Sequence, residues 1–162
     1  MRILRRLALA ALASFVAPAA AAAAAPVFVG PPGWSHVAPQ TTPDATRSVD
    51  AWKLGGDATD PGQTVTYISD TTASYADTLA LIKKNFSDNH ITPSVDVDRP
   101  CQGKQAHIVE FKIGPSGHEV IINRILVPEG TGLVTITYSR AKDYGFDDDV
   151  KKAIDTFCSA SS

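Results

Sequence analysis

The sequence predicts a single α+β domain built on an antiparallel sheet. Two β-rich segments come first and an amphipathic helix follows them. Three further β-rich segments joined by short turns then precede a second amphipathic helix. Consecutive strands with short connections are typical of an antiparallel meander. The predicted order is therefore β-β-α-(β)-β-β-β-α, where the strand in parentheses is a short edge strand.

The first 25 residues, 1–25, have the pattern of a secretory signal peptide. Three arginines precede an apolar run, and an alanine-rich stretch follows it. We expect cleavage within 21–25, because signal peptidase requires small side chains beside the bond that it cuts. The alternative is an uncleaved membrane anchor, but the apolar run is mostly alanine and Pro18 divides it.

The charge of the chain without this leader limits the class of partner. The leader holds three of the 15 Lys and Arg residues and none of the 17 Asp and Glu residues, which leaves a net charge of −5 with histidine neutral. An acidic domain disfavours nucleic acid and anionic membranes as partners. The prediction is a periplasmic or secreted domain of bacterial type, with no stable membrane insertion after cleavage.

The remaining chain divides into a lead-in, one domain and a tail. Residues 26–43 are rich in Pro, Gly and polar side chains and predict an extended lead-in. The domain is predicted over 44–158, and a disordered tail over 159–162. Within the domain the predicted strands are 47–54, 63–69, 104–113, 118–127 and 133–140, with a short edge strand around Val95 and Val97.

Two segments have the apolar spacing of an amphipathic helix. The first has Ser74 as its predicted cap, and its apolar face contains Tyr75, Leu79, Ile82 and Phe86. The second has Asp147 as its predicted cap, and its apolar face contains Val150, Ala153, Ile154, Phe157 and Cys158.

The two cysteines, Cys101 and Cys158, predict a disulfide, because an even pair in an exported protein is usually bonded. Cys101 is expected to open a strand, and Cys158 lies on the apolar face of the last helix. The bond would therefore attach that helix to the meander. The alternative is a pair of buried free thiols.

The sequence contains no metal-ligand spacing and no cofactor motif, so neither a metal nor a cofactor is predicted. The candidate catalytic residue is His107. A four-residue turn at 114–117 would place it opposite Arg124, whose charge would disfavour the protonated imidazole. The alternative is a structural histidine near the sheet edge. Asp96 and Asp98 share one face of the predicted edge strand and are interpreted as a solvated edge.

Four residues are candidates for ligand binding, because aromatic rings and a cation often line a cleft. They are Trp34, Trp52, Tyr67 and Arg124. The alternative is that the aromatic residues are ordinary core and rim residues.

The order of segments and several local features resemble the PsbP-like family. The features are Pro31 to Trp34 (Pro-x-Gly-Trp), Gly103 to Ala106 (Gly-x-x-Ala), the strand LVTITYSR at 133–140, and a last helix ending Ile154 to Phe157. PsbP-like proteins share their fold with the Ran-binding protein Mog. The resemblance implies an αβα sandwich around an antiparallel sheet, and a role as an accessory or binding protein.

Three hypotheses about function follow. The first is an exported, non-enzymatic accessory or binding protein whose partner is a protein or small molecule outside the cytoplasm. The second is a small extracytoplasmic hydrolase that uses His107. The third is a small-ligand carrier with an aromatic-lined cleft.

Overall fold

A computed structural model describes residues 26–56 and 62–160, and the predicted signal peptide, 1–25, lies outside them. The described residues form one domain with seven strands and two helices. The elements are β1 (Ser35–Thr41), β2 (Arg47–Leu54), β3 (Gln63–Asp70), α1 (Tyr75–Asp88), β4 (Val95–Cys101), β5 (Lys104–Ile113), β6 (Val120–Glu129), β7 (Gly132–Ala141) and α2 (Asp148–Ser159).

The strands form one antiparallel sheet in the order β1-β2-β3-β7-β6-β5-β4. The last strand of the chain to join the sheet, β7, is therefore the central one, and β1 and β4 are the edges. The predicted α+β class, the antiparallel sheet and the meander are confirmed.

The two faces of the sheet have separate hydrophobic clusters, because successive strand residues point to opposite sides. On the face that we call the α2 face, helix α2 packs through Val150, Ile154 and Phe157 against a cluster that includes Val65, Tyr67, Val127, Ile136 and Tyr138. On the opposite face, the α1 face, helix α1 packs through Ile82 and Phe86 against Val109, Phe111 and Leu126.

Both helices begin at the predicted caps. The Ser74 hydroxyl accepts a hydrogen bond from the Asp77 backbone N–H at 3.3 Å. The Asp147 carboxylate accepts from the N–H groups of Asp149 and Val150, at 2.9 and 3.0 Å. These bonds satisfy backbone donors that have no partner within the helix. Helix α2 continues to Ser159, so it includes the first residue of the predicted tail, and 161–162 lie outside the described residues.

The two edge strands of the sheet, β1 and β4, differ from the predicted elements. The lead-in 26–43 contains an edge strand, β1, which the sequence did not indicate because every residue of Ser35–Thr41 is exposed and no apolar alternation marks it. The short edge strand predicted around Val95 is confirmed as β4, and it extends further than expected, to Cys101.

The register of the β5–β6 hairpin also differs from the prediction. Strand β6 begins at Val120, so the loop is longer than the predicted turn at 114–117. His107 therefore pairs with Leu126, and the prediction that it lies opposite Arg124 is wrong. Because the shift is two residues, His107 and Arg124 remain on the same face of the sheet, the α1 face.

A contact with the end of β7 explains the longer loop. The Glu119 carboxylate accepts a hydrogen bond from the Gly117 backbone N–H at 2.9 Å and lies 3.0 Å from Lys142 Nζ. The Lys142 N–H also donates to the Glu119 carbonyl. These bonds hold Glu119 in the loop, in contact with the residue that follows β7.

Within residues 26–56 and 62–160, neither helix has the length and apolar character required to cross a bilayer.

Candidate functional site: the groove between β4 and α2

The edge strand β4 alternates between two environments. Val95, Val97 and Arg99 point to the α2 face, whereas Asp96 and Asp98 point to the α1 face. In the sheet, β4 pairs with β5 alone, so its outer row of backbone N–H and C=O groups faces away from the strands of the described chain. Val97 is 39% exposed, which is high for a valine at the centre of a strand.

An open groove of about 210 Å³ lies between β4 and α2. Its apolar lining comes from β4, β5, β6, α2 and the β7–α2 loop, and consists of Val95, Val97, Ile108, Ile125, Ile154 and Phe146. Helix α2 covers the β4 end of this face only in part, and the groove is the space that it leaves open.

The rim of the groove is charged. On the α2 side, Lys151 Nζ lies 3.3 Å from the Asp155 carboxylate, one helical turn away. On the β4 side, Arg99 is exposed and forms no ion pair with any residue in the described ranges. Since Lys151 and Asp155 offset each other, Arg99 gives the rim a net positive charge.

A buried polar network adjoins the floor of the groove. Asn123 lines the floor and is 9% exposed. Its side chain hydrogen bonds to Glu110, whose carboxylate also accepts from the Ser94 hydroxyl at 2.9 Å and from Arg140 Nη2 at 3.2 Å. The network joins β5, β6 and β7 to the residue that precedes β4, and so it fixes the floor.

The environment of Glu110 favours its charged form. Burial alone would raise the pKa of this carboxyl, but the hydrogen bonds from Ser94 and Arg140 and the charge of Arg140 outweigh burial and hold the pKa below its ordinary value. Glu110 and Arg140 therefore form an ion pair in neutral solution, with Arg140 buried and Glu110 partly buried.

Arg140 is 6% exposed and is held between two aromatic rings. Its guanidinium carbon lies 5.2 Å from the ring centres of both Tyr138 and Phe146, within the range of cation–π attraction. Its Nε donates to the Tyr144 carbonyl at 3.2 Å. Phe146 also lines the groove, so the contact with Arg140 fixes the position of this part of the groove wall.

On the α1 face, His107 anchors β4 to β5. Its Nδ1 lies 2.8 Å from Asp98 and its Nε2 lies 3.1 Å from Asp96, and the ring is almost fully buried. The two aspartates are partly exposed, as a solvated edge would be, but both also hold His107. A general base requires a ring nitrogen that can face a substrate. Here a carboxylate oxygen faces each nitrogen.

The pairing of the two cysteines is confirmed. The sulfur atoms of Cys101 and Cys158 lie 2.09 Å apart, at disulfide distance. Cys101 ends β4 instead of opening a strand, because Gln102 and Gly103 both have positive φ and form a two-residue turn into β5. The bond thus joins the ends of β4 and α2, the two elements that border the groove.

The four sequence candidates for ligand binding lie on opposite faces of the sheet. On the α2 face, Tyr67 stacks on Phe28 with ring centres 5.9 Å apart, and Trp52 meets the same ring edge-on at 5.4 Å. Trp34 is also buried on this side, against Tyr138. Arg124 is on the α1 face. The structure does not bring Arg124 together with the three aromatic residues, and a ligand role for any of them stays a prediction.

A second groove, of about 240 Å³, lies between the lead-in and the outer side of α2. Its lining is largely apolar and includes Pro26, Val29, Pro32, Ala153 and Phe157.

The residues in 26–56 and 62–160 contain no group of three His, Cys, Asp or Glu side chains placed to hold a metal ion. In the His107 cluster the two carboxylates are bound to different nitrogens of the ring and do not converge on one point with it.

Comparisons with known proteins found matches among solved structures alone. No protein-family model and no curated protein sequence matches the chain. Among solved structures, the chain is similar to PA94, a protein of unknown function from Pseudomonas aeruginosa. The two are 14% identical, the match covers 59% of this chain and 70% of that one, and the TM-score is 0.48.

Sequence reasoning missed the buried network of Glu110, Asn123 and Arg140. One signal was present: each is a polar residue inside a strand with an apolar residue two positions before it on the same face, namely Ile108, Ile121 and Tyr138. Such positions point to buried, paired groups. Which ones pair depends on strand order, because Glu110 and Arg140 are 30 residues apart in the chain and belong to strands on either side of β6.

Proposed function

We propose that this protein is an exported, non-enzymatic accessory protein that binds an extended segment of a partner polypeptide along the edge strand β4. The observation that carries the proposal is the combination of an unpaired strand edge and an adjoining apolar groove. A partner strand could hydrogen bond to the outer backbone of β4, and its side chains could enter the groove.

The size of the groove favours a polypeptide over a small molecule. Pockets for drug-sized ligands are typically about 300–1,000 Å³ and bury most of the ligand. This groove is open and holds about 210 Å³, enough for one or two apolar side chains. Backbone pairing along β4 would supply the remaining affinity.

The charges on the rim indicate the chemistry of the partner. Arg99 lies beside the groove without an ion pair in the described chain, whereas Lys151 already has Asp155. The segment that fits best therefore has an apolar side chain for the groove and an acidic side chain placed next to Arg99.

The way β4 is held supports this function. Edge strands that bind partners must keep their shape, because ordering a flexible strand reduces affinity. On its α1 side β4 is bound through His107, and at its end it is bound through Cys101 and Cys158.

Export and family membership are part of the proposal. The leader pattern and the cysteine pair at disulfide distance both support a location outside the cytoplasm, where disulfides persist. We also propose that the domain is the αβα sandwich of the PsbP-like family, whose members mostly act as accessory or binding proteins. A helix on each face of an antiparallel sheet supports this assignment.

The hydrolase hypothesis has no comparable support, because both ring nitrogens of His107 are engaged by carboxylates. The carrier hypothesis is an outcome of the test below. A small ligand would raise the melting temperature by mass action in the absence of any protein partner.

The test uses two matched positions. A photo-crosslinking amino acid is placed at Val97 or at Ile113. The two side chains are similarly exposed, 39% and 41%, but Val97 points to the α2 face and Ile113 to the α1 face. We expect one protein, identified by mass spectrometry, to be captured from the extracytoplasmic fraction of the native organism at Val97 and not at Ile113.

The same protein should bind the tagged wild-type chain and Ile113→Asp, but not Val97→Asp. A charge placed over the groove would disrupt an apolar contact there and nowhere else. Equal capture at both positions, or full binding by Val97→Asp, would refute the proposal. Stabilisation by a small metabolite with no protein captured would support the carrier instead.

A further inference from the structure

Arg124 is a partly buried cation for which the described chain provides no counter-charge. It lies on β6 between Ile122 and Leu126, which belong to the hydrophobic cluster under α1. Its Nε is buried and has no hydrogen-bond partner. No carboxylate in the described ranges lies within ion-pair distance of its guanidinium.

Burial of this unpaired group has an energetic cost. It lowers the pKa of the Arg124 guanidinium, and no charged neighbour offsets the effect. Buried charges in proteins are normally paired, because removing a charge from water is unfavourable. The other buried arginine, Arg140, follows this rule through Glu110. An anion from solution would provide the partner that Arg124 lacks.

The neighbours of Arg124 on the central strands are hydroxyl groups. Its cross-strand partner on β7 is Thr137, and the partner of Thr137 on β3 is Thr66. Thr135 and Ser139 flank Thr137 on the same face. Directly opposite side chains lie about 5 Å apart at Cβ. All four hydroxyl residues are partly exposed, and no hydrogen bond of their side chains to another described residue is present.

On this face, the acidic residue nearest to Arg124 along the strand pairing already has a partner. Asp96 lies two strands from Arg124 through Val109, and its carboxylate is bound to His107. The groups around Arg124 and Thr137 are therefore a guanidinium, which can only donate hydrogen bonds, and hydroxyl groups, which can donate as well as accept. Guanidinium groups bind oxyanions through paired N–H bonds, and hydroxyl groups add further donors.

We propose that Arg124, with Thr137 and Thr66, forms a binding site for a small oxyanion on the α1 face of the sheet. The ligand class is a carboxylate, sulfate or phosphate group, which share the acceptor geometry that a guanidinium recognises. The site does not depend on the proposed function of β4, because it lies on the other face, so either proposal can fail alone.

The test follows NMR signals of the disulfide-bonded protein without its leader: the Arg124 Nε–H signal in the wild type, and the backbone amide signals of residues 66, 124 and 137, which every variant retains. Sodium sulfate, sodium phosphate and sodium acetate are titrated separately at constant ionic strength. We expect a saturable shift of these signals with at least one of the three anions. Saturation by acetate alone identifies a carboxylate ligand, and saturation by sulfate or phosphate identifies a tetrahedral one.

Variants separate a built site from general attraction of anions. Arg124→Lys keeps the charge but loses the planar fork, and we expect affinity to fall by roughly tenfold. Thr137→Val removes one hydroxyl and should weaken binding roughly fivefold. Arg47→Gln removes an exposed cation at the end of β2 and should leave the affinity unchanged.

A shift of the backbone amide signals that never saturates, or one that is equally strong in Arg124→Lys and lost in Arg47→Gln, would overturn the proposal. Urea unfolding of each variant checks that it is folded. If Thr137→Val is unstable, Thr66→Val gives the same comparison one strand further away.

Discussion

At the scale of single residues, the domain depends on a few charged side chains inside or beside the sheet. On the α2 face, the buried Arg140 pairs with the partly buried Glu110, and on the α1 face His107 is held by two aspartates. Removing one member of such a set costs more than the set contributes, because the partners lose their hydrogen bonds while remaining partly desolvated.

His107→Gln tests the anchor of β4. We expect the free energy of unfolding to fall by about 1–3 kcal/mol, because the hydrogen bond to Asp98 and the close contact with Asp96 are lost and a buried ring is replaced. Urea unfolding at neutral pH measures the change. His118→Gln, at an exposed loop position that forms no ion pair with the described residues, should stay within about 0.5 kcal/mol of wild type. Equal stability of the two variants would mean that His107 does not anchor β4.

Glu110→Gln tests the buried ion pair through its pH dependence. The pKa of Glu110 is lower in the folded state than its ordinary value of 4.5, so its contribution to stability is complete above that value. It is lost as the pH falls through the lower, folded pKa. The stability gap between wild type and Glu110→Gln should therefore be widest near neutrality and shrink in acid. A gap that stays constant from neutral pH to below 4.5 would contradict this.

At the scale of elements, the structure depends on how β4 and α2 are joined. The disulfide closes a separation of 57 residues, from the end of the edge strand to the end of the last helix. The Gln102 N–H also donates to the Cys158 carbonyl at 2.7 Å, so backbone and side chains fix the same junction.

The double variant Cys101→Ser, Cys158→Ser measures the contribution of that bond. A loop of this length predicts a loss of about 4 kcal/mol from the restriction of the unfolded chain. Urea unfolding of the variant, and of the wild type with and without reductant, gives the value. We expect the variant to match the reduced wild type, and a loss below about 1 kcal/mol would show that the junction is held without the bond.

Gly132→Ala tests the packing at the start of β7. A Cβ atom there would lie 2.5 Å from the Asp70 carbonyl oxygen and 2.7 Å from Thr71 Cα, both of them backbone atoms that cannot turn away. We expect a destabilisation of about 1–3 kcal/mol in thermal or urea unfolding. Gly145→Ala is the matched control and should be close to neutral, because an added Cβ there would meet no described atom within 4 Å apart from those of its chain neighbours. A neutral Gly132→Ala would show that β3 and β7 can separate locally.

At the scale of the whole molecule, local signals predicted the elements but not their exact pairing. The caps at Ser74 and Asp147 and the apolar faces of both helices were readable from the sequence, because each depends on residues within a few positions. The hairpin register was not, because it depends on Glu119 meeting Lys142 beyond the end of β7.

Even less of the candidate site could be predicted from the sequence. Its groove forms where β4 is the sheet edge and α2 covers that edge only in part, and both facts depend on strand order. The cysteine pair was predictable, since it required only two cysteines behind a segment with the pattern of a signal peptide. The position of this bond beside the groove depends on Cys101 being the last residue of β4.

The most direct test of a β4 binding edge is amide hydrogen exchange of the protein with and without the captured partner. The two edges of the sheet provide an internal comparison, because β1 and β4 each pair with only one strand in the described chain. The account predicts slower exchange on binding in Val95–Cys101 and unchanged exchange in Ser35–Thr41. Slower exchange in β1 with none in β4 would contradict it.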